Sequence, residues 1–150
     1  MLRQMVGFRV QTASSRPVEA LFEASLDVAV HTASQSRSRE RVVSGPVSGR
    51  LKLGDQVTWE ARHFGLWWTM TSAVTEMDGP SRFVDEQVRG PFSRFRHEHR
   101  FASVDGGTLM TDTIEFAAPF GIIGRLVARA VLRPYLRRLI VARGEFLARG

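Results

Sequence analysis

The sequence contains no cysteine, which excludes disulfide bonds, a thiol nucleophile and a metal held by cysteine. It has a single lysine, Lys52, so nearly all of its 21 basic residues are arginines. No apolar run approaches the roughly 18 residues that a membrane-spanning helix needs. Residues 1–10 also lack the continuous apolar core of a signal peptide. We therefore expect a cytoplasmic protein.

Acidic residues are too few to balance the arginines, and the net charge is +6. Such an excess is typical of proteins that bind nucleic acid or an anionic membrane. No zinc-finger spacing, basic tail or internal repeat accompanies the charge, so we expect no nucleic-acid partner. With 150 residues, 43% of them hydrophobic, the chain is long enough for one domain, residues 1–150, with one core. Nothing in the sequence indicates an oligomeric state.

Five segments in the middle of the chain alternate in the way typical of β-strands. Short breaks rich in glycine and proline separate them, which favours antiparallel hairpins between neighbours. The five segments are residues 56–64, 66–77, 81–88, 93–104 and 108–116. Before them, the pattern predicts a strand at 5–11, short helices at 18–25 and 31–36, and a strand at 39–44. Ser15 as a cap and Pro17 in the first turn mark the entry of the first helix.

Residues 121–150 have apolar side chains three and four positions apart, which predicts a long helix that buries one stripe. Pro134 cannot donate a helical hydrogen bond, so a kink or break is expected there. The predicted stripe contains Ile123, Leu126, Val127, Ala130, Val131, Tyr135, Leu136, Leu139, Ile140 and Phe146. Much of the rest of the helix is arginine, at positions 125, 129, 133, 137, 138 and 143. The strands could wrap around this helix and cover the stripe.

A two-residue turn at Asp105-Gly106 sets the register of the last two strands, because side chains alternate between the faces of a sheet. The register pairs His99 with Asp112 and places His97 on the same inward face. A carboxylate opposite an imidazole can accept a proton from a ring nitrogen, so we expect His99 to pair with Asp112. Carried through the other turns, the same alternation predicts further inward side chains at Val57, Trp59, Ala61, His63, Trp68, Met70, Ser72, Val74, Phe83, Asp85, Gln87 and Phe95.

This inward face mixes aromatic rings with charged and amide groups. Burying an unpaired charge costs several kcal/mol, so a sheet that needed only a dry core would carry leucine and valine instead. The mixture indicates a cavity between the sheet and the final helix, occupied by a small, largely apolar molecule. Residues expected to contact that molecule are Trp59, His63, Trp68, Met70, Phe83, Asp85, Gln87, Phe95, His97, His99, Phe101, Met110, Asp112, Ile123 and Val127. The alternative is a plain aromatic core whose His/Asp pairs satisfy one another.

Several of these segments together resemble the SRPBCC superfamily, and more narrowly a bacterial branch related to START, Bet v 1 and polyketide cyclase domains. They are residues 53–65, the Gly90-Pro91-Phe92 turn, residues 95–101 and 107–112, continuing through Ala118-Pro119-Phe120-Gly121 into the final helix. The resemblance covers nearly the whole chain. It implies an α+β helix-grip fold, with a curved antiparallel sheet of about seven strands around a long C-terminal helix and two short helices after the first strand.

The same resemblance implies a range of functions. Relatives bind lipids, sterols, polyketides or other apolar molecules, and some catalyse aromatase, cyclase or dehydratase chemistry. The branch supplies no catalytic residues that could be transferred to this sequence. The glycine-rich loop of plant relatives is reduced here to Gly45-Pro46-Val47-Ser48-Gly49.

Four hypotheses about function follow. The first is binding of a lipid, polyketide or aromatic molecule, without a cofactor. The second is an enzyme in which His97 or His99 acts as general acid or base, oriented by Asp85 or Asp112. The third is a metal site at His97-X-His99 with the same carboxylates, although an isolated His-X-His pair is weak evidence and no metal is expected. The fourth is contact of the C-terminal arginines with an anionic membrane.

Overall fold

The computed structural model of the protein describes residues 5–150, which form seven β-strands and a long, interrupted C-terminal helix with shorter helices near the start. The strands are β1 (Val6–Ser14), β2 (Arg41–Ser44), β3 (Gln56–His63), β4 (Leu66–Asp78), β5 (Arg82–Arg89), β6 (Arg94–Val104) and β7 (Gly107–Ala117). The short helices are α1 (Val18–Leu26) and α2 (Val28–Ser34), followed by a 3₁₀ turn at Ser36–Ser38. Residues 1–4 lie outside the described residues. They belong to the segment 1–10, which was expected not to be a signal peptide.

All seven strands join one curved antiparallel sheet in the order β1-β7-β6-β5-β4-β3-β2. The fold class and the strand count expected from the resemblance are therefore confirmed. The predicted register of the last hairpin is also confirmed, since Val104 pairs with Gly107 and His99 pairs with Asp112. The sheet places every strand of the central meander beside its sequence neighbour, which keeps the inward faces of β3 to β7 on one continuous concave surface.

The hairpin between β3 and β4 turns one residue earlier than expected. His63 pairs with Leu66, so the turn consists of Phe64 and Gly65, and β3 ends at His63 rather than at the expected position 64. Both turn residues have positive φ, 54° and 74°, as a two-residue turn of this handedness requires. This turn pairs Trp59 with Met70. The inward side chains remain those predicted.

The two short helices begin at residues that differ from the expected ones. Pro17, not Ser15, precedes the first residue of α1, and no side chain caps this helix. The second helix starts at Val28 rather than at position 31, because the Asp27 side chain accepts a hydrogen bond from the Val30 amide at 3.0 Å. Both helices lie across one end of the sheet, and Phe22 of α1 meets Phe83 and Phe101 edge to face.

The C-terminal helix consists of α3 (Gly121–Val127), a π-helical turn (Ala128–Leu132) and α4 (Arg133–Arg149). The predicted interruption near Pro134 is confirmed, since proline stands in the first turn of α4 directly after the π-helical turn. The helix continues through it. None of the helices within residues 5–150 combines the length and the apolar composition that crossing a membrane requires.

The predicted buried stripe of this helix is wrong in its N-terminal half and at Phe146. Ile123, Leu126, Val127, Ala130, Val131 and Phe146 are exposed, whereas the buried positions are Gly124, Ala128, Arg143, Gly144 and Leu147. Small residues face the sheet because the helix lies close to it: a side chain at Gly144 would collide with Thr12 of β1. Ile122 and Leu126 of α3 are thereby left at the surface, whereas Ile123 and Val127 border the space between the helix and the sheet.

Candidate functional site

A cavity of about 600 Å³ lies between the concave face of the sheet and the C-terminal helix, with α1 and α2 beside it. Its walls are mainly apolar. Eleven of the residues expected at the ligand line it: Trp59, His63, Trp68, Met70, Phe83, Asp85, Phe95, His97, His99, Ile123 and Val127. It runs between two ends with different chemistry. Strand β4 connects these two ends. It advances eight residues, or roughly 25 Å if fully extended, from Leu66, opposite His63, to Val74, opposite Asp85.

Four expected residues do not line this cavity. Phe101 and Met110 are buried in the core beneath α1, where they pack with Leu21, Phe22, Leu26 and Leu147. Gln87 instead holds the loop between β5 and β6, because its amide donates to the Phe92 carbonyl at 2.8 Å and accepts from the Phe92 amide at 3.3 Å. Asp112 is buried behind the histidines. Alternation along the strands assigned these side chains to the correct face, but helix α1 and the loop then covered them.

Five side chains form what we call the deep cluster: Asp85, His97, His99, Asp112 and Arg143. His97 Nε2 lies 2.7 Å from Asp112 Oδ1, and His99 Nε2 lies 2.7 Å from Asp85 Oδ2. The hydrogen bond of His99 therefore goes to Asp85, and Asp112, the expected partner, lies at contact distance from the other ring nitrogen. His99 Nδ1 lies 3.4 Å from Asp112 Oδ1 without a hydrogen bond. Each imidazole instead reaches diagonally to a carboxylate on a neighbouring strand, and the two rings stack with centroids 3.6 Å apart.

Burial and mutual contacts set the charges of the deep cluster. Burial and the neighbouring imidazole of His99 lower the pKa of His97 to about 4, although its bond to Asp112 opposes this change. Burial alone would raise the pKa of Asp85, but the hydrogen bond from His99 and the neighbouring groups His97 and Arg143 lower it to about 2. Burial also acts to raise the pKa of Asp112, which contacts with His97, His99 and Arg143 hold well below its ordinary value. Both carboxylates are ionised at neutral pH, and His97 is neutral.

Arg143 of α4 was expected on the solvent-facing side, yet it is only 3% exposed and its Nη1 lies 3.4 Å from Asp112 Oδ1. It also lines the cavity. A signal existed in the sequence, because Leu139, Arg143 and Leu147 are spaced four apart and share a helix face. A charged residue within an apolar face requires a buried partner, and Asp112 meets that requirement.

The opposite end of the cavity, where its lining residues are exposed, is the mouth. Tyr135 of α4 and His63 at the end of β3 meet there, with the tyrosine hydroxyl 2.6 Å from His63 Nδ1. Phe64 packs against the same tyrosine with ring centroids 4.5 Å apart. Burial lowers the pKa of His63, against the raising effect of Glu40, and raises the pKa of Tyr135. These contacts connect the β3–β4 hairpin to the helix.

Sequence reasoning did not identify a further polar pair in the cavity wall. His31 Nε2 lies 2.6 Å from Glu40 Oε1, and the imidazole packs against Trp59 with ring centroids 4.4 Å apart. Both residues line the cavity. They come from the segment between β1 and β3, whose fold the strand alternation does not constrain, so no pattern in the sequence connects them to the sheet.

The model of the polyketide cyclase / dehydrase and lipid transport family matches residues 5–149. The chain belongs to this family. Membership agrees with the SRPBCC resemblance of the sequence motifs. No curated protein matches the sequence.

Solved structures resemble this polyketide cyclase / dehydrase family chain over most of its length. The KanY protein is 17% identical with a TM-score of 0.74, over 97% of this chain and 96% of that chain. The di-domain ARO/CYC BexL from the BE-7585A biosynthetic pathway is 15% identical with a TM-score of 0.73, over 97% of this chain and 49% of that chain. Major latex-like protein 151 from Panax ginseng is 12% identical with a TM-score of 0.67, over 97% of this chain and 96% of that one. At these identities the likeness shows the fold.

The deep cluster also contains the donor set of a metal site. Ligand atoms of Asp85, His97 and His99 lie within 4.8 Å of one another. Imidazole and carboxylate are ligands of zinc and of other first-row metals. Both Nε2 atoms face carboxylates at 2.7 Å, so a metal held through these two nitrogens would displace both hydrogen bonds.

Proposed function

We propose that the protein binds a small, largely apolar molecule in the cavity between its sheet and its C-terminal helix. The cavity itself carries the proposal: about 600 Å³ with apolar walls is well within the range of small-molecule sites. Aromatic and aliphatic side chains provide the contact area. A polar group at one end of the cavity fixes the direction in which a ligand lies.

Asp85 determines which polar group the ligand should carry. Its side chain is the most exposed of the carboxylates in the deep cluster, at 28%, whereas that of Asp112 is 4% exposed. The exposed part of Asp85 faces the cavity that it lines. A carboxylate there accepts hydrogen bonds and repels anions, so it favours a hydroxyl group over a carboxylate. The proposed ligand is therefore a hydroxylated aromatic, polyketide-like or lipid molecule whose hydroxyl points to the deep cluster.

The test combines native mass spectrometry of the purified protein with displacement of the fluorescent dye anilinonaphthalene sulfonate. Hydroxylated polycyclic aromatics and fatty alcohols are the competitors, and fatty acids of matched length serve as their anionic counterparts. Met70→Trp narrows the cavity and should weaken binding of all competitors. Val104→Trp places the same ring at the exposed β6–β7 turn, outside the cavity, and should change nothing.

Asp85→Asn tests the orientation of the ligand. It should reduce the preference for the alcohol over the acid, because the amide no longer repels an anion. Bound ligand raises the melting temperature by mass action, with about 2.7 kcal/mol expected at a hundredfold excess over Kd. If no competitor binds, or if Met70→Trp binds all of them as the native protein does, the cavity is not the binding site.

A second candidate function is an enzyme that promotes ring closure or loss of water in its ligand. The observation that favours it is the imidazole of His99, which lines the cavity and donates a 2.7 Å hydrogen bond to Asp85. Such a pair could take a proton from carbon beside a carbonyl group and return a proton to a leaving or ring-forming oxygen. The solved structure most relevant to this hypothesis is the ARO/CYC protein BexL, whose likeness supports the fold only.

The enzyme hypothesis is tested on the same ligand. A molecule that binds is incubated with the protein, and its mass and ultraviolet spectrum are followed over time. A product one water lighter, or an isomer of equal mass, should form at a rate that depends on pH and that His99→Gln abolishes without loss of binding. Recovery of the unchanged ligand would leave the protein as a binding module.

A further inference from the structure

The mouth of the cavity exposes an unusual number of large apolar side chains. They come from two segments, the β3–β4 hairpin and the start of α3. We call the mouth surface the set Phe64, Leu66, Trp68, Phe120, Ile122, Ile123 and Leu126, all of which are exposed. Of these, Leu66, Ile122 and Leu126 do not line the cavity. They face outward, so a ligand inside the cavity would not cover them.

Two aromatic residues of the mouth surface stand in backbone conformations that disfavour them. Phe120 has φ 75° and is 85% exposed, and Phe64 has φ 54° and is 56% exposed. Left-handed φ disfavours residues with a side chain, and glycine occupies such positions without this strain. Because both phenylalanine rings are exposed, their burial within the protein offsets little of the free-energy cost of this backbone conformation. Strain of this kind is found where surrounding structure or function requires a particular side chain.

Arginines follow the α3 part of the mouth surface along the C-terminal helix. Between Glu115 and Glu145 the chain contains six arginines and no acidic residue. Ile122, Leu126 and Arg129 are spaced four and three apart, which places them on one face of the helix. Arg129 and Arg133 are exposed, and within the described residues 5–150 neither forms an ion pair.

From these observations we propose that the mouth surface docks onto a lipid bilayer that contains anionic headgroups. Apolar side chains enter the boundary between headgroups and acyl chains, while the arginines of the helix meet the negative surface. The charge argues against a second copy as the occupant, since two identical surfaces would bring the same arginines together. The docked mouth opens toward the acyl chains. The proposal concerns the outer surface and does not depend on which molecule the cavity holds.

The experiment is co-sedimentation of the full chain with vesicles of phosphatidylcholine alone or mixed with phosphatidylglycerol. The native protein should sediment with the mixed vesicles, less with neutral ones, and less again as salt is raised. The double variant Ile122→Asp/Leu126→Asp should lose binding. Its matched control is Val104→Asp, an exposed valine at the β6–β7 turn, away from both segments of the mouth surface, and it should bind as the native protein does.

The electrostatic part is tested separately. Arg129→Gln should weaken binding to mixed vesicles roughly fivefold, as expected for one basic residue near an anionic surface. Arg149→Gln, at the far end of α4 and beside Glu145, serves as the control and should bind normally. In a Trp59→Phe/Trp67→Phe background, brominated lipids should quench the fluorescence of the remaining Trp68. This quenching reports contact at the mouth surface itself.

Three outcomes would overturn the proposal. One is absence of native protein from the pellet with mixed vesicles at low salt. Another is sedimentation of Ile122→Asp/Leu126→Asp equal to that of the Val104→Asp control. The third is a concentration-dependent dimer in light scattering that the double variant abolishes, because the surface would then bind a second copy. Circular dichroism melting of each variant verifies that it is folded.

Discussion

The two ends of the cavity distribute polar and apolar groups in opposite ways. At the deep end, two histidines, Asp112 and Arg143 are buried and Asp85 is half-buried, and these groups contact one another at 2.7 to 3.4 Å. At the mouth, phenylalanine, tryptophan, isoleucine and leucine face solvent. A monomeric protein usually places these two classes the other way round. Each end therefore departs from the arrangement that stability alone would favour.

The difference shows how each end is maintained. The deep cluster is held by interactions within the protein, so removing one member leaves another charge buried without a partner. The mouth surface makes few such contacts, and its side chains can be changed with little effect on folding. Stability measurements should respond strongly to changes at the deep end and weakly to changes at the mouth. The predictions below test that contrast.

The largest effect is expected from Asp112→Ala. It removes the carboxylate that contacts both His97 and Arg143, and it leaves the guanidinium buried without its partner. We expect the free energy of unfolding to fall by about 3–5 kcal/mol, measured by urea denaturation. The double variant Asp112→Leu/Arg143→Met removes both charges and should recover much of that loss. If the single variant is as stable as the native protein, the deep cluster contributes nothing to folding.

The second prediction concerns acid. The pKa of His97 is about 4 in the folded protein and close to 6.5 when unfolded, so the unfolded chain binds the additional proton between these values. Stability should be full above pH 6.5 and should decrease by about 2 kcal/mol as the pH falls to 4.5. The lowered pKa of Asp85 acts in the same direction below about pH 4.

Groups from four elements face this histidine: Asp85 of β5, His99 of β6, Asp112 of β7 and Arg143 of α4. The control is His97→Gln, which removes the titrating ring and should give a shallower loss between pH 6.5 and 4.5 in urea denaturation. An identical slope in the variant would assign the acid sensitivity to other residues.

A smaller effect of opposite sign is expected at Phe120. Replacing this residue by glycine relieves the left-handed backbone strain, which is about 1–2 kcal/mol, but increases the freedom of the unfolded chain. The net change should be a gain of about 0.5–1 kcal/mol over Phe120→Ala, which retains the strain. Both variants lose the phenyl ring, so the difference between their free energies of unfolding in urea reports the backbone effect alone. A glycine variant less stable than the alanine variant would show that the conformation is not strained.

The smallest effect is expected from Ile122→Ser. This side chain is 79% exposed and lies outside the cavity, so the free energy of unfolding should change by no more than about 0.5 kcal/mol. Thermal denaturation of the isolated variant provides the measurement. A loss above 1 kcal/mol would mean that Ile122 packs within the protein, and the contrast between the two ends would not hold at this position.

Much of the fold was accessible from the sequence because it depends on local rules. Glycine-rich turns set the hairpins, and alternation set which side chains face inward, so the register of β6 and β7 followed from Asp105-Gly106. The choice of partner for His99 did not follow. Alternation specifies the face of a sheet, whereas the rotamers of neighbouring side chains decide whether an imidazole meets the residue opposite or the one on the diagonal.

The helix shows the limit of periodicity more clearly. Its spacing predicted an amphipathic element with a buried apolar stripe, but in α3 the close packing falls on Gly124 and Ala128. Ile123 and Val127 border the cavity without being buried, and Leu126 turns away from it. Periodicity identifies the most hydrophobic face of a helix. Close contact between helix and sheet instead requires the face with the smallest side chains. For the same reason, periodicity predicted Arg143 on the solvent-facing side of the helix, whereas the structure buries it.

The order of the five meander strands β3 to β7, the inward aromatic and charged residues and the family pattern were determined by the sequence alone, because each depends on neighbours along the chain or across one hairpin. The tertiary structure decided which of those inward side chains border a space and which are covered by α1. It also decided that Arg143 meets Asp112 and that the apolar start of α3 remains at the surface. These outcomes depend on how the helix lies against the sheet, and that position results from steric fit between residues distant in the sequence.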